Sequence, residues 1–304
     1  MSTFSALKKS SSSRTEFTKL MKKLEDTSAK KDYKDSRVWN VTRDKTGNGF
    51  AVIRFLPRSK DDELPFAKVW DHFFKGPTGQ WYVENCPTTI GHECPVCKAN
   101  NELWNTETKE NQDVARKRKR RLKYIFNILV ISDPANKENE GKVFLFEAGK
   151  KIFNKIMDKA KPSYEGEEPI NVFDFWNGAN FKLKVKNVEG YPNYDSSEWS
   201  EPSALFDGDD KKLEKLWESE YKLADFIEPS KFKDFKVLED RYNKVVGGST
   251  KPQTIEDDEE DKVVAPKTSK SVNAPKAPVI DDDEGESDDE ISKLLASLGG
   301  DDDE

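Results

Sequence analysis

Tyr124-Ile125-Phe126-Asn127-Ile128-Leu129-Val130-Ile131 is apolar at every position but Asn127. A short run this continuous reads as a strand covered on both faces. Arg116-Lys117-Arg118-Lys119-Arg120-Arg121-Leu122-Lys123 runs straight into it, with seven positive charges in eight residues. Working outward, Phe50–Leu56 is a β-rich run between Gly49 and Pro57, and Val143–Phe146 follows Gly141. Phe181–Lys186 alternates strictly, so one face packs inward and the other presents three lysines. Several strands with irregular connections predict a small barrel rather than a βαβ sheet. Helices are expected over Lys150–Met157, Lys211–Leu223 and around Phe232–Val246, with their apolar faces covering the core. The fold class is mainly β with flanking helices.

The chain has 304 residues, 34% hydrophobic and 36% charged, with mean hydropathy −0.88. That is lean enough to leave part of the chain without a core. No stretch of eighteen apolar residues predicts a membrane span, and Met1–Ser13 lacks the apolar region of a signal peptide. Three cysteines are too few and too odd in number for a disulfide framework, which fits a reducing cytoplasm.

The net charge of −7 conceals a strong asymmetry. Residues 251–304 carry 18 Asp and Glu against 6 Lys and Arg, leaving 45 basic and 40 acidic residues in 1–250. A mildly basic body with an acidic tail points to nucleic acid. The reading divides the chain into a basic arm over 1–24, a core over 25–248 with a metal subdomain at about 72–123, and a tail over 249–304. Aromatics vanish after Gly247-Gly248, so the tail is expected to be disordered.

Each end carries one amphipathic segment. In the arm, Phe17, Leu20, Met21 and Leu24 fall at i, i+3, i+4 and i+7 behind the capping box Ser13-Arg14-Thr15-Glu16, a docking helix with a basic lead-in. In the tail, Ile291, Leu294, Leu295 and Leu298 repeat that spacing after Ser287-Asp288-Asp289-Glu290. This second segment is too short to be helical alone and reads as a recognition element for a partner protein.

Cys86, Cys94 and Cys97 lie within twelve residues, the last two as Cys94-Pro95-Val96-Cys97. A C-x-x-C turn brings two thiolates to one tetrahedral zinc, and Cys86 supplies a third. The fourth ligand comes from His72 or His92, which are the two histidines of the chain. His92 is too close to Cys94 for both to reach one ion easily. His72 lies across the hairpin-like Gly76-Pro77-Thr78-Gly79 and would fold back beside Cys86, so His72 is favoured. Four filled positions make this one Zn2+ structural. The absence of a βαβ context argues against a redox pair.

A cationic run tied to a core strand cannot relax its charge by extending, so it needs a polyanion. Trp104, Phe146 ahead of Lys150-Lys151, and Tyr191 and Tyr194 around Pro192-Asn193 read as exposed aromatics near basic residues. Cations for phosphates and flat rings for unstacked bases are what single strands require. Stacking at Trp104, Tyr124, Phe146, Tyr191 and Tyr194 is expected, with phosphate contacts from Arg116, Lys117, Arg118, Lys119, Arg120, Arg121, Lys150 and Lys151.

With these motifs in hand, the chain resembles the T-even-type bacteriophage single-stranded DNA-binding (helix-destabilising) proteins over nearly its whole length. The most specific pieces are Asn48-Gly49 with Ala51–Pro57, Trp81-Tyr82 before Cys86, Cys94-Pro95-Val96-Cys97, Asn127–Val130, Glu140–Phe144, Gly149–Ile152 and Gly178–Phe181. The resemblance implies an OB-fold core, a five-stranded Greek-key barrel, with a zinc subdomain held by one histidine and three cysteines; the histidine falls on His72. It implies cooperative contact between neighbouring copies through the basic arm, at Lys8, Lys9, Ser10, Ser11 and Arg14, with a second basic copy at Lys119-Arg120-Arg121. It implies an acidic tail that recruits the phage polymerase, helicase loader, primase and recombination proteins, and that covers the basic groove when no DNA is present. The implied setting is phage DNA replication, recombination and repair in the cytoplasm of an infected bacterial host.

The leading expectation is thus a sequence-nonspecific, cooperative single-stranded DNA-binding protein with no catalysis and no membrane. A zinc-containing nucleic-acid enzyme is the alternative from another class. The chain has no Walker A loop and no H-x-E with P-C-x-x-C in the order a deaminase needs. An acidic-tailed protein-interaction scaffold is the third, and it would show no preference for single strands over duplex.

Overall fold

The computed structural model describes residues 35–164 and 166–247. The arm residues Lys8, Lys9, Ser10, Ser11 and Arg14 and the tail segment Ile291–Leu298 lie outside them. The chain divides into a unit ending at Val38 and a body beginning at Trp39. Of the first unit, residues 35–38 form a turn in which Arg37 pairs with the Asp35 carboxylate.

The body is an antiparallel sheet with helices laid against it. Its strands are β1 (Gly49–Phe55), β2 (Phe66–Lys75), β3 (Trp81–Asn85), β4 (Arg121–Ser132), β5 (Val143–Ala148), β6 (Ala179–Val188), β7 (Tyr191–Asn193) and β8 (Glu198–Pro202). The helices are α1 (Pro95–Trp104), α2 (Lys109–Arg118), α3 (Lys150–Ala160), α4 (Asp210–Glu218) and α5 (Phe235–Val246). The order across the sheet is β3-β2-β4-β1-β6-β7, with β5 also on β4 and β8 also on β6.

The continuous apolar run becomes the hub. β4 is 12 residues long and takes three partners: its first half pairs with β2, its second half with β1, and its middle with β5 along the other edge. A strand paired on both edges and covered on both faces exposes little, and Tyr124–Val130 are all buried. An irregular register at Val52/Ile53 and another at Ala179/Phe181 bend β1 and β6, so the sheet curls into a half-barrel. In β6, Phe181, Leu183 and Val185 point inward as their alternation predicts, and Lys182 and Lys184 on the other face meet Glu198 of β8.

The curled sheet encloses Ile53, Phe55, Phe126, Ile128, Phe181 and Leu183, capped by Ile152, Phe153 and Ile156 of α3. A second, smaller core joins Phe74 and Tyr82 of the β2–β3 hairpin to Leu238, Tyr242 and Val245 of α5. The hairpin side of the molecule is therefore completed from well beyond the 72–123 segment. Gly76 makes the closure possible, because a Cβ there would collide with the Val245 carbonyl, and the Thr78 hydroxyl donates to that same carbonyl at 2.6 Å.

The helices fall where the spacing places them, at shifted ends. The expected Lys211–Leu223 helix stops at Glu218, and Ser219 caps it. A 3₁₀ turn at Ala224–Phe226 follows, because the Asp62 carboxylate takes the Leu223 and Ala224 amides.

Candidate metal centre and nucleic-acid interface

His72 lies in β2 across from Glu84, and Cys86 follows β3 with its amide on the Trp70 carbonyl, so hairpin pairing puts the two donors on one face, diagonally across the strands. Gly76–Gln80 turns the hairpin, as the Gly-Pro-Thr-Gly sequence predicts. A 3₁₀ turn at Pro87–Ile90 then brings the chain back to α1, whose N-cap is Cys94 and whose first turn holds Cys97. Pro95 occupies the first helical position, where its missing N–H costs nothing. The positive end of the helix faces the two thiols and favours thiolate.

The four donor atoms lie within 4.8 Å of one another, and His72, Cys86 and Cys94 are buried. His72 Nε2 is 3.4 Å from Cys94 Sγ and 3.5 Å from Cys97 Sγ, and Cys86 Sγ is 3.6 Å from Cys97 Sγ. An ion at about 2.3 Å from sulfur and about 2.0 Å from nitrogen separates its donors by roughly 3.5–3.8 Å. The set therefore fits one tetrahedral cation with no position left for substrate. His72 Nδ1 meets the Arg118 carbonyl at 3.0 Å, which fixes the tautomer with Nε2 free to ligate. The Thr88 hydroxyl sits 3.1 Å from Cys86 Sγ.

Crowding drives the proton affinities of these donors apart. Hydrogen bonding with Cys94 pushes the Cys86 thiol far down, and hydrogen bonding with Cys86 pushes Cys97 far up. Burial pulls His72 down, yet its hydrogen bonds with Cys86 and Cys94 outweigh that and raise it to about 9. A dication would displace the protons these groups share.

The arginines of the basic run and Lys123 are anchored side chain by side chain. Arg116, in the last turn of α2, lies 5.1 Å from the centre of the Trp104 ring, itself 46% exposed. The Arg118 side chain donates to the Tyr242 hydroxyl at 2.9 Å, while its carbonyl meets His72. Arg120 lies 4.1 Å over the Trp70 ring and donates to Thr88 at 2.6 Å. Arg121 grips Asp71 with two hydrogen bonds of 2.8 Å, and Lys123 bridges Asp71 and Glu147 at 2.9 and 3.1 Å. Burial raises the Asp71 carboxyl, but the Arg121 hydrogen bonds and the Lys123 charge hold it below its ordinary value. Lys117 and Lys119 are exposed. The run is a rail of charge whose arginines are held by the scaffold.

Other expected contacts sit elsewhere. Tyr124 and Phe146, read as stacking surfaces, are core residues. Tyr124 is 3% exposed with Phe153 stacked on it at 3.8 Å, and Phe146 faces Trp39 and Phe55. Strand alternation turns both toward the core, so their rings are already occupied. Lys150 opens α3, and Lys151 is exposed near Asp195 at 3.9 Å. Tyr191 lies in β7, and Tyr194 follows it half-buried against the main core, on the β6 flank and two strands from β4.

Sequence reasoning missed Trp70, Phe73, Trp81, Thr88 and the Arg118 carbonyl. The three rings were within reach. Fixing His72 as a ligand sets the parity of β2, so Trp70 shares its face and Phe73 takes the opposite one. Thr88 and the carbonyl depend on loop geometry that no periodicity encodes. No helix among the described residues is long and apolar enough to cross a membrane.

Residues 47–246 match the family model described as gp32 DNA binding protein like. The chain is 44% identical over 219 residues to the "Single-stranded DNA-binding protein" of Enterobacteria phage T2, covering 70% of this chain and 71% of that one. It is equally similar to the protein of that name from Enterobacteria phage T4. A third, from Escherichia phage SV14, is 47% identical over 87 residues, which is 27% of this chain and 76% of that one. The curled sheet, the Cys/His cluster and the anchored basic run thus stand in a chain that belongs to the gp32-like DNA-binding family.

Proposed function

We propose that this protein binds single-stranded DNA without regard to sequence and catalyses nothing. The carrying observation is the rail from Arg116 to Lys123, in which Arg118, Arg120 and Arg121 are each fixed to the scaffold and Arg116 lies over the exposed ring of Trp104. Fixed cations lose little entropy on meeting phosphates and release counterions, which gives affinity with a steep salt dependence. Bases stack on Trp104, with Tyr191 and Tyr194 on the far flank. Tyr124 and Phe146 support from the core. Preferential binding to single strands then melts marginal duplex by mass action.

The centre of His72, Cys86, Cys94 and Cys97 holds one structural Zn2+ in this reading, supported by its closed donor set. The barrel is read as an OB-fold, supported by five strands, β5-β4-β1-β6-β8, curling around one apolar core. The arm over 1–24 joins neighbouring copies on the strand, supported by its basic amphipathic sequence. The acidic tail covers the groove in the absence of DNA and recruits replication and recombination proteins of the phage in its bacterial host. The test is a tryptophan-fluorescence titration with poly(dT) and with matched duplex at several salt concentrations. Tight, salt-sensitive binding to the single strand alone is expected; equal affinity for duplex would overturn the reading.

A further inference from the structure

The outer face of the β2–β3 hairpin presents a cluster that the metal centre and the rail do not use. Lys75 of β2 lies directly across from Trp81 of β3, and Phe73 directly across from Val83. Phe73 and Trp81 are 41% and 48% exposed, and their rings contact each other with centroids 4.8 Å apart at 38°. Exposure on this scale is costly for two large rings unless something covers them. The rings are also preorganised. Behind Phe73 lies the guanidinium of Arg121, 4.5 Å from the ring centre and locked in place by its two bonds to Asp71. Arg121 and Trp81 hold the Phe73 ring in place and the strand pairing keeps it in register, so the exposed parts of the Phe73 and Trp81 rings present one fixed aromatic surface.

Resting on the single-strand reading, we propose that Phe73 and Trp81 form a second nucleobase-stacking platform, with Lys75 taking the adjoining phosphate. The patch is two rings and one isopropyl group, far short of the roughly 800 Å² per partner that a stable protein contact needs, yet matched to one or two bases. Its charge has the right sign, because Asp71 is satisfied by Arg121 and Lys123 while Lys75 at the rim is exposed. Arg121, whose guanidinium lies against Phe73, and Lys123 end the rail on the same face of the sheet as the platform, while Arg118 and Arg120 face the other side of the hairpin; a strand reaches the platform past Arg121.

The test compares the full-length protein with Phe73→Leu and Trp81→Leu, which keep apolar bulk but lose the flat face, and with Phe73→Tyr and Trp81→Phe, which keep it. Zinc content and melting temperature are read for each. The probes are oligo(dT), the same oligomer with abasic positions, and matched duplex. Each Leu variant is expected to bind oligo(dT) about 5- to 150-fold more weakly, the aromatic variants close to wild type, and all of them equally on the abasic oligomer. If the Leu variants match wild type on oligo(dT), the platform is overturned and single-strand binding stands. If wild type itself ignores oligo(dT), the underlying reading fails first. A change in the sedimentation of DNA-free protein, with affinity unchanged, would make the face a protein contact and overturn the proposal.

Discussion

The Nδ1 of His72 and the main-chain carbonyl of Arg118 lie 3.0 Å apart, so the ring that offers Nε2 to a metal also holds the middle of the cationic run. Loss of the proposed metal would loosen both. Cys97→Ser is expected to lower the melting temperature by about 10 °C and to abolish stoichiometric zinc. It should also weaken oligo(dT) binding although no DNA contact is altered. Atomic absorption and thermal unfolding check this, and a metal-free wild type of the same stability would refute the centre.

Lys117 and Lys119 are exposed members of the rail. Replacing both with Gln should reduce the slope of log affinity against log salt by about 1.4 for single strands. Binding should weaken uniformly across sequences. An unchanged slope would mean that phosphates run elsewhere.

Glu220 is held off its ordinary chemistry. Burial, aided by the Asp62 charge, pushes its carboxyl up to about 9, and both of its oxygens lack a hydrogen-bond partner. An acid raised on folding contributes stability that is fully present below its unfolded value and is lost as pH rises toward the folded one. Between about pH 4.5 and 9 the protein should therefore lose stability through this group. Glu220→Gln is expected to stabilise by about 1–3 kcal/mol at pH 8 and by little at pH 4.5. Denaturant titrations at the two pH values decide it.

Gly178 has no room for a side chain. A Cβ would strike the Asp174 carbonyl and come 2.8 Å from Arg54 Nη2. Buried Arg54 donates to the Asp174 and Ser203 carbonyls at 2.8 and 3.0 Å, and desolvation lowers it to about 10. Gly178→Ala should cost about 2–4 kcal/mol by breaking that clamp. Differential scanning calorimetry reads the loss.

The tail carries the opposite sign to the body, and Gly247, the last described residue, packs toward Thr78 of the hairpin turn. Removing residues 249–304 should tighten oligo(dT) binding, most at low salt. Equal affinities for the full and shortened chains at 50 mM salt would remove the covering role.

Much of this molecule is legible in the sequence because two periodicities are strong. The run at Tyr124 declared a doubly covered strand, and Phe181–Lys186 declared a half-buried one; both behave so. The His72–Cys86–Cys94–Cys97 cluster followed from residue chemistry and spacing, and His72 from a turn that the structure contains. Burial was harder to read. Nothing local distinguishes the ring of Tyr124, pressed on Phe153, from that of Trp104, which is open, because the covering helix arrives later in the chain. The role of α5 was invisible for the same reason, since its apolar spacing does not say which core it meets.

That last contact also orders events in time. Thr78 and Val245 are 167 residues apart, so the hairpin and its three thiols leave the ribosome long before the helix that completes their core. Closing so long a loop is slow compared with local pairing. The nascent hairpin is therefore open on one side while it is exposed to cellular metal, so with the proposed ion α5 would close over a centre already loaded.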